Sequence, residues 1–264
     1  MLAKMRQMDV LTNNLVNVET KGYKSETLVT RSFRDMLISR LNDPSVYKYD
    51  SVGAHNTGIH IDQKYTSFTQ GSLEHTNVST DFALTEDGFF CIDYTIEDDE
   101  GEEYIETRYT RNGAFNVDSE GMLVTGTGHY VLDEDYDYIE VGSTDFTVGA
   151  DGFVYDADGE EITRLLIVRF VGEDDEGEPV SLNHNLRKVG DNMYTYWDAD
   201  PEDPYEPEQV YIEVKQGYLE NANVDTAREM VMMMQVYRAY EINQRVVRML
   251  DESLGRAVND IARV

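Results

Sequence analysis

The sequence predicts an α+β fold that is mainly β, with an antiparallel β-rich central domain flanked by terminal helices that form a coiled-coil-like layer. Three observations predict it: apolar heptad seams at both ends, short strand-like runs separated by turns in the middle, and acidic charge concentrated in that middle. We expect an N-terminal assembly helix, a connector with a short helix, the β-rich domain and a C-terminal assembly helix in residues 1–21, 22–57, 58–215 and 216–264.

The C-terminal segment carries the longer heptad seam. Its two seam positions hold ten residues, of which nine are apolar: Met233, Tyr240, Val247, Leu254 and Ile261 at one, and Val236, Asn243, Leu250, Ala257 and Val264 at the other. A helix cannot cover such a seam by itself and needs a partner helix. The helical pattern starts after Asn221, and either Asn223 or Asp225 could cap it. We favour assembly over packing on the same domain, because the opposite end of the chain carries a second seam.

The N-terminal segment carries a shorter seam. Its seam residues are Met1, Met8 and Leu15 at one position, and Lys4, Leu11 and Val18 at the other. No capping residue precedes Met1, which predicts a helix whose first turns lie ahead of it. Asn13, Asn14 and Asn17 lower helix propensity, and Gly22 permits a left-handed exit. We therefore expect this helix to end within the Asn-rich stretch.

The connector that follows is expected to contain a second, shorter helix. Residues 31–42 place four apolar side chains at helical spacing: Phe33, Met36, Leu37 and Leu41. From about Gly58 the spacing of apolar residues changes from the helical period to the alternation of a strand, as in residues 58–62. The connector should therefore end near residue 57.

The middle of the chain has the pattern of strands separated by turns. Residues 164–171 form a long apolar, β-branched run, and turns such as Asn112-Gly113 and Asp151-Gly152 recur at short intervals. This spacing predicts a long antiparallel sheet system, sandwich-like or barrel-like, because alternating βα units would need helical stretches between the strands.

Composition and charge narrow the classes of function. The net charge is −30, yet residues 1–26 hold 4 basic and 3 acidic side chains and residues 221–264 hold 6 of each, so the acidic excess lies between them. Phosphate binding needs a basic stripe, which argues against nucleic acid. No signal-peptide pattern and no apolar stretch of about 20 residues is present. The only cysteine, Cys91, lies in an apolar run and is expected to be buried.

Candidate chemical sites are weak. The sequence Asp156-Ala157-Asp158-Gly159-Glu160 resembles part of a calcium loop, but a hairpin turn explains it better because the later ligand position is Leu165. The histidines lack metal-ligand spacing: His55, His60, His75, His129 and His184. No phosphate loop or nucleophile elbow is present. We therefore predict no enzyme activity, no cofactor and no metal site.

Three segments carry motifs that are similar to those of a known family. Residues 13–24 (NNLVNVETKGYK) resemble the NNLANVxTxGFK signature of the bacterial flagellar axial proteins, the rod and hook family. Residues 109–132 (YTRNGAFNVDSEGMLVTGTGHYVL) and 216–254 resemble its central segment and its C-terminal helix. The chain length and the YRAYEIN stretch are most similar to basal-body rod proteins, of distal or proximal type. Members of the family usually begin about ten residues ahead of the position of Met1.

The resemblance implies a structural subunit without catalysis. Copies would stack helically into the rod and transmit torque from motor to hook, beside other rod and hook proteins. The resemblance also implies export through the flagellar apparatus without a cleaved signal and an extracytoplasmic location, with no membrane insertion. One alternative is a hook-type subunit. Another, from a different class, is a secreted acidic β-domain that binds calcium or a surface ligand.

Seam and signature together predict the functional residues. The expected assembly interface consists of Met8, Leu11, Leu15, Val18, Met233, Val236, Tyr240, Val247, Leu250, Leu254 and Ile261. The expected turn after the first helix is shaped by Asn13, Asn14, Asn17 and Gly22. The two helices would pair with each other and with further copies, in an inner layer of a tube whose outer layer is the β-rich domain.

Overall fold

A computed structural model describes residues 1–39, 51–56, 58–97, 103–173, 179–197, 205 and 207–261. The chain forms two compact units, neither of which is a continuous stretch. Unit 1 comprises Met1–Val16, Glu26–Ser67 and Asp225–Val264, and unit 2 comprises Asn17–Ser25 and Phe68–Val224. The predicted division into four consecutive segments stays a prediction. The predicted mainly β fold with one helix near each end is confirmed.

Unit 1 contains both α-helices and two antiparallel strand pairs. Its elements are α1 (Leu2–Val16), β1 (Glu26–Ser32), β2 (Met36–Ser39), β3 (Ser51–His55), β4 (Ile59–Thr66) and α2 (Thr226–Ile261). Strand β1 pairs with β4, and the register of this pair shifts between Val29 and Thr30. Strand β2 pairs with β3. Helix α1 packs against α2 and β1. The unit thus joins the two ends of the chain.

The short helix predicted over residues 31–42 is wrong for the residues that the structure describes. Residues 31 and 32 end strand β1, and residues 36–39 form β2. The Phe33 ring contacts the His60 ring of β4, with centroids 4.7 Å apart. Pairing with β4 and β3, which follow later in the chain, therefore overrides a helical spacing that rested on four side chains. Residues 40–42 lie outside the described part.

Helix α2 begins at Thr226, directly after Asp225, which is one of the two predicted capping residues. Asp225 is the cap: its Oδ1 accepts hydrogen bonds from the backbone N–H groups of Ala227 at 3.0 Å and Arg228 at 3.2 Å. Asn223, the other candidate, uses its side chain elsewhere, because its Oδ1 accepts the Ser25 N–H at 2.7 Å. The residues before the cap belong to unit 2.

Unit 2 is built from short antiparallel strands. Its elements are β5 (Leu73–His75), β6 (Phe82–Leu84), β7 (Phe89–Glu97), β8 (Glu103–Thr110), β9 (Phe115–Val117), β10 (Leu123–Thr125), β11 (Thr147–Val148), β12 (Phe153–Tyr155), β13 (Glu161–Arg164), β14 (Ile167–Arg169), β15 (Val171–Glu173), β16 (Pro179–Ser181), a 3₁₀ helix (Asn183–Asn185), β17 (Leu186–Gly190), β18 (Met193–Tyr196), β19 (Glu208–Gln209), β20 (Val214–Gln216) and β21 (Tyr218–Glu220). The largest sheet has the order β17-β18-β8-β7-β14-β19, and smaller pairs include β20-β6 and β21-β5.

Strand β7 lies at the centre of the unit 2 core and is buried on both faces. Phe90 and Ile92 belong to one apolar cluster, whereas Phe89 and Cys91 belong to a second. Adjacent side chains of a strand point to opposite faces, so this strand separates two cores. Cys91 is fully buried as predicted, and burial raises the pKa of its thiol.

The glycine turns of unit 2 have two different physical causes. Gly152 has a φ of 84°, as its turn sequence predicts. Gly113 has no positive φ. It is needed for space instead, because a Cβ atom there would lie 1.8 Å from the Phe82 carbonyl oxygen. The sequence pattern marks both turns without distinguishing these causes.

Candidate assembly surface

The first half of the α2 seam is covered within unit 1. Val236 of α2 and Leu11 of α1 are buried. Met233 and Tyr240 of α2, and Met8 and Leu15 of α1, are half-buried. Because α1 packs against α2, these predicted interface residues lie on elements that contact each other.

The second half of the α2 seam is open. Val247, Leu250 and Leu254 expose 46%, 58% and 63% of their surface, and every described side chain from residue 245 to 259 is exposed. Ile261 is the last residue of the helix, and its side chain lies outside the description. The predicted interface is thus divided into a covered half and an exposed half.

The exposed half carries a continuous apolar stripe. At 3.6 residues per turn, Val247, Leu250, Leu254 and Val258 fall within about 80° of one another on the helix surface. We call these four residues the distal stripe. They span about 17 Å of helix. A stripe of this kind is typical of a helix face that has a partner.

The start of α1 explains where the covered half ends. Met1 and Leu2 line a groove of about 520 Å³ together with Asn243, Val246 and Val247 of α2. Helix α1 therefore begins beside this part of α2, and α2 continues beyond it to Ile261. Asn243, the one polar residue of the α2 seam, borders the groove and is half-buried.

The Asn-rich stretch links α1 to β1 through a buried side chain. The Asn14 Nδ2 donates a hydrogen bond to the Glu26 carbonyl oxygen at 2.9 Å, and its Oδ1 accepts the Glu26 N–H at 2.9 Å. Asn14 thereby satisfies both backbone groups of the first residue of β1, as a neighbouring strand would. Asn13 is exposed on α1, and Val18 lies two residues beyond the helix end.

Gly22 makes the turn after α1 possible. The Asn17 Oδ1 accepts a hydrogen bond from the Thr20 hydroxyl at 3.2 Å, and the chain then reverses through Gly22 with a φ of 67°. A Cβ atom on Gly22 would lie 2.5 Å from the Asn112 nitrogen and 2.6 Å from the Arg111 carbonyl carbon. Both the left-handed backbone and the close approach therefore require glycine.

Comparison with known proteins agrees with this architecture. Two family models match: "Flagellar basal body rod FlgEFG protein C-terminal" over residues 215–260 and "Flagellar hook protein FlgE/F/G D1 domain" over residues 83–156. The flagellar hook-basal body complex protein FlhO of Bacillus subtilis is 30% identical over 100% of this chain and 96% of its own length. The chain belongs to the flagellar basal-body rod protein family.

Further relatives place the resemblance across the whole chain. The flagellar basal-body rod protein FlgG of Buchnera aphidicola subsp. Schizaphis graminum is 30% identical over 96% of this chain and 94% of its own length. The rod protein FlgF of Caulobacter vibrioides is 30% identical, with 98% and 92% covered. Basal-body rod proteins of this family are structural and not enzymatic.

Residues 156–160, which resemble part of a calcium loop in sequence, lie between strands β12 and β13. Residues 156–160 form a tight turn in which the Gly159 N–H donates to the Asp156 carbonyl oxygen at 2.9 Å. No group of three or more His, Cys, Asp and Glu side chains in the described ranges is placed to hold a metal ion. Helices of the described chain are also too short or too polar to cross a membrane.

One buried cluster of this rod-family chain was missed by sequence reasoning. Lys24 and Glu220 form an ion pair with Nζ and Oε1 2.6 Å apart, and their side chains are only 1% and 2% exposed. The Arg111 Nη1 lies 3.7 Å from the other Glu220 oxygen. Burial lowers the pKa of Lys24 and of Arg111, although Glu220 acts in the opposite direction on both. Lys24 is the last residue of the signature segment, which is the one clue that the sequence offers.

The two hydrogen bonds of Asn14 should contribute measurably to unit 1. Replacing Asn14 with Ala is expected to lower the free energy of unfolding by about 2–3 kcal/mol, because both bonds to Glu26 are lost at a buried position. Urea denaturation followed by circular dichroism measures this. Thr12→Ala is the control on the same helix: its exposed hydroxyl bonds only the Met8 carbonyl, so a change within about 0.5 kcal/mol is expected. Equal effects of the two changes would contradict the assigned role of Asn14.

Proposed function

We propose that this chain is a structural subunit of the bacterial flagellar basal-body rod. Copies polymerise helically through their terminal helices and transmit torque from the motor to the hook. The distal stripe is the observation that carries the proposal, because it is an apolar helix face that is largely exposed in the described part of unit 1. The names of the rod-protein relatives support the basal-body location.

Burial of the distal stripe supplies a driving force for assembly. Covering one exposed Leu or Val side chain contributes about 1.5–3 kcal/mol, so four such residues offer several kcal/mol per contact. Helix α2 is continuous from Thr226 to Ile261, which prevents it from folding back onto its own stripe. We propose that a neighbouring copy or another axial protein provides the partner helix for this stripe, which gives a coiled-coil-like inner layer.

The distribution of charge along the chain supports the proposed inner and outer layers. The helical ends are nearly neutral and can pack closely, whereas the acidic β-rich middle favours contact with solvent and suits an outer layer.

The partners are further copies, other rod and hook proteins, and the flagellar export apparatus. Export through that apparatus delivers the subunit to an extracytoplasmic position.

Deletion of the gene, followed by electron microscopy of isolated basal bodies, tests this function. If the chain is a rod subunit, its deletion should also remove the rest of the rod and the hook. A plasmid copy of the gene should restore both. A hook-type subunit gives a different result, since its deletion leaves the rod standing. Complete hook-basal bodies in the deletion strain would contradict any axial role.

A further inference from the structure

Three of the places where the chain passes between the two units are close together within unit 2. These crossings follow Ser25, precede Phe68 and follow Val224. Beside them, the Ser25 N–H donates to the Asn223 Oδ1 at 2.7 Å, and the Asn223 Nδ2 donates to the carbonyl and hydroxyl oxygens of Thr69, both at 3.0 Å. Each of the three crossing segments is therefore bonded to another within two residues of its crossing.

The buried ion pair of Lys24 and Glu220 joins the same three segments. The Lys24 Nζ donates to the Thr69 carbonyl oxygen at 2.9 Å as well as to Glu220. The Glu220 Oε1 also accepts the Gly71 N–H at 2.7 Å, and the Glu220 backbone carbonyl accepts the Gly22 N–H at 2.7 Å. Both side chains thus bind backbone groups of the segment that follows Ser67, at Thr69 and Gly71, and a backbone hydrogen bond joins Glu220 to Gly22.

This pair is better explained by positioning than by stability. Burial and the nearby Arg111 charge lower the pKa of Lys24, so together they disfavour its charged form more than Glu220 favours it. Two apolar side chains of similar size often fill such a site with equal or greater stability. They could not bind the Thr69 carbonyl or the Gly71 N–H, and those directional bonds are what the charged pair adds.

We propose that Lys24, Glu220 and Asn223 are positioning residues that form a clasp, which holds three crossings of the chain at one place in unit 2. When these three chain segments are held at one place, a mechanical force on one segment is shared by all three. The value of this device for torque transmission rests on the proposed function. The clasp itself is a property of the single chain and can be tested without assembly.

Hydrogen exchange of the full chain, measured by mass spectrometry, tests the clasp. In Lys24→Met, amides of Gly22, Ser25 and Gly71 are expected to exchange about tenfold faster or more, while amides of residues 89–92 in the core keep their protection. Arg169→Met is the control in the same unit, because its ion pair with Glu86 is exposed, and it should leave the clasp amides unchanged. Unchanged exchange in Lys24→Met, or equal acceleration in the core, would overturn the proposal.

A double variant keeps the test decisive if a single buried charge prevents folding. Lys24→Met combined with Glu220→Met removes the paired charges, while Arg111 keeps its contacts with the Glu86 carbonyl and Asp87, so the double variant should unfold at a higher denaturation midpoint than Lys24→Met alone. The clasp amides should still exchange faster, because apolar side chains make no bonds to Thr69 or Gly71. Protection equal to that of the unmodified chain would show that packing alone holds the segments. These measurements are made on the monomer, so a failed rod assignment would leave them unaffected.

Discussion

Leu250→Asp is expected to weaken contacts between subunits by about 100-fold or more while both units of the single chain stay folded. The loss of an apolar contact and the burial of a carboxylate together exceed about 3 kcal/mol, and each 1.4 kcal/mol corresponds to a tenfold change. Folding is spared because Leu250 is 58% exposed in the single chain. The measurements are sedimentation velocity against concentration, and the amount of variant in basal bodies isolated from a complemented deletion strain.

The control for this change adds the same charge to the opposite face of α2. Asn259 lies two and a half turns after Leu250, which places it about 180° away, and its side chain is exposed. Asn259→Asp is expected to assemble like the unmodified chain. Circular dichroism should show unchanged helix content in both variants. Normal rods built from Leu250→Asp would remove the distal stripe from the assembly surface.

Gly22→Ala is expected to be among the most damaging single substitutions in unit 2, with a loss of about 2–5 kcal/mol in the free energy of unfolding. The left-handed backbone alone costs about 1–2 kcal/mol for a residue with a Cβ atom. The remainder comes from displacement of the Arg111–Asn112 backbone, which a methyl group at 2.5 Å requires. Denaturant unfolding followed by the near-ultraviolet circular dichroism of the aromatic core measures the loss.

Gly142→Ala separates the two causes of that loss. Gly142 has a φ of 65°, nearly that of Gly22, but a Cβ atom there would have no neighbour within 4 Å. Gly142→Ala should therefore lower the free energy of unfolding only by the cost of the left-handed backbone, about 1–2 kcal/mol. If both substitutions destabilise the chain equally, the close approach of Gly22 to Arg111–Asn112 has no energetic weight.

Local patterns in the sequence predict much of this fold. The heptad seams identify both helices, because a helical period is set by residues three and four apart. The turn sequences identify a β-rich middle because each turn is also set by a few adjacent residues. The failure at residues 31–42 has the opposite cause: β1 and β2 are fixed by pairing with β4 and β3, which lie farther along the chain. Such pairing leaves little trace in the local spacing of apolar residues.

The candidate surface was only partly predictable for a related reason. A seam shows that α2 needs partners, but it does not show that α1 ends its contact near Val247 and leaves the distal stripe exposed. The buried pair was less accessible still, since Lys24 and Glu220 are separated by 196 positions and neither follows a periodic pattern. Its existence depends on the tertiary path of the chain.

The interleaved path of the chain also determines when folding can finish. Unit 2 needs residues 17–25 to meet Glu220, and unit 1 needs α1 to meet α2. Closing such long loops carries an entropy cost that only late, non-local contacts offset, which slows folding. A chain delivered gradually, whether by a ribosome or through a narrow channel, therefore stays incomplete in both units until nearly all of it has arrived.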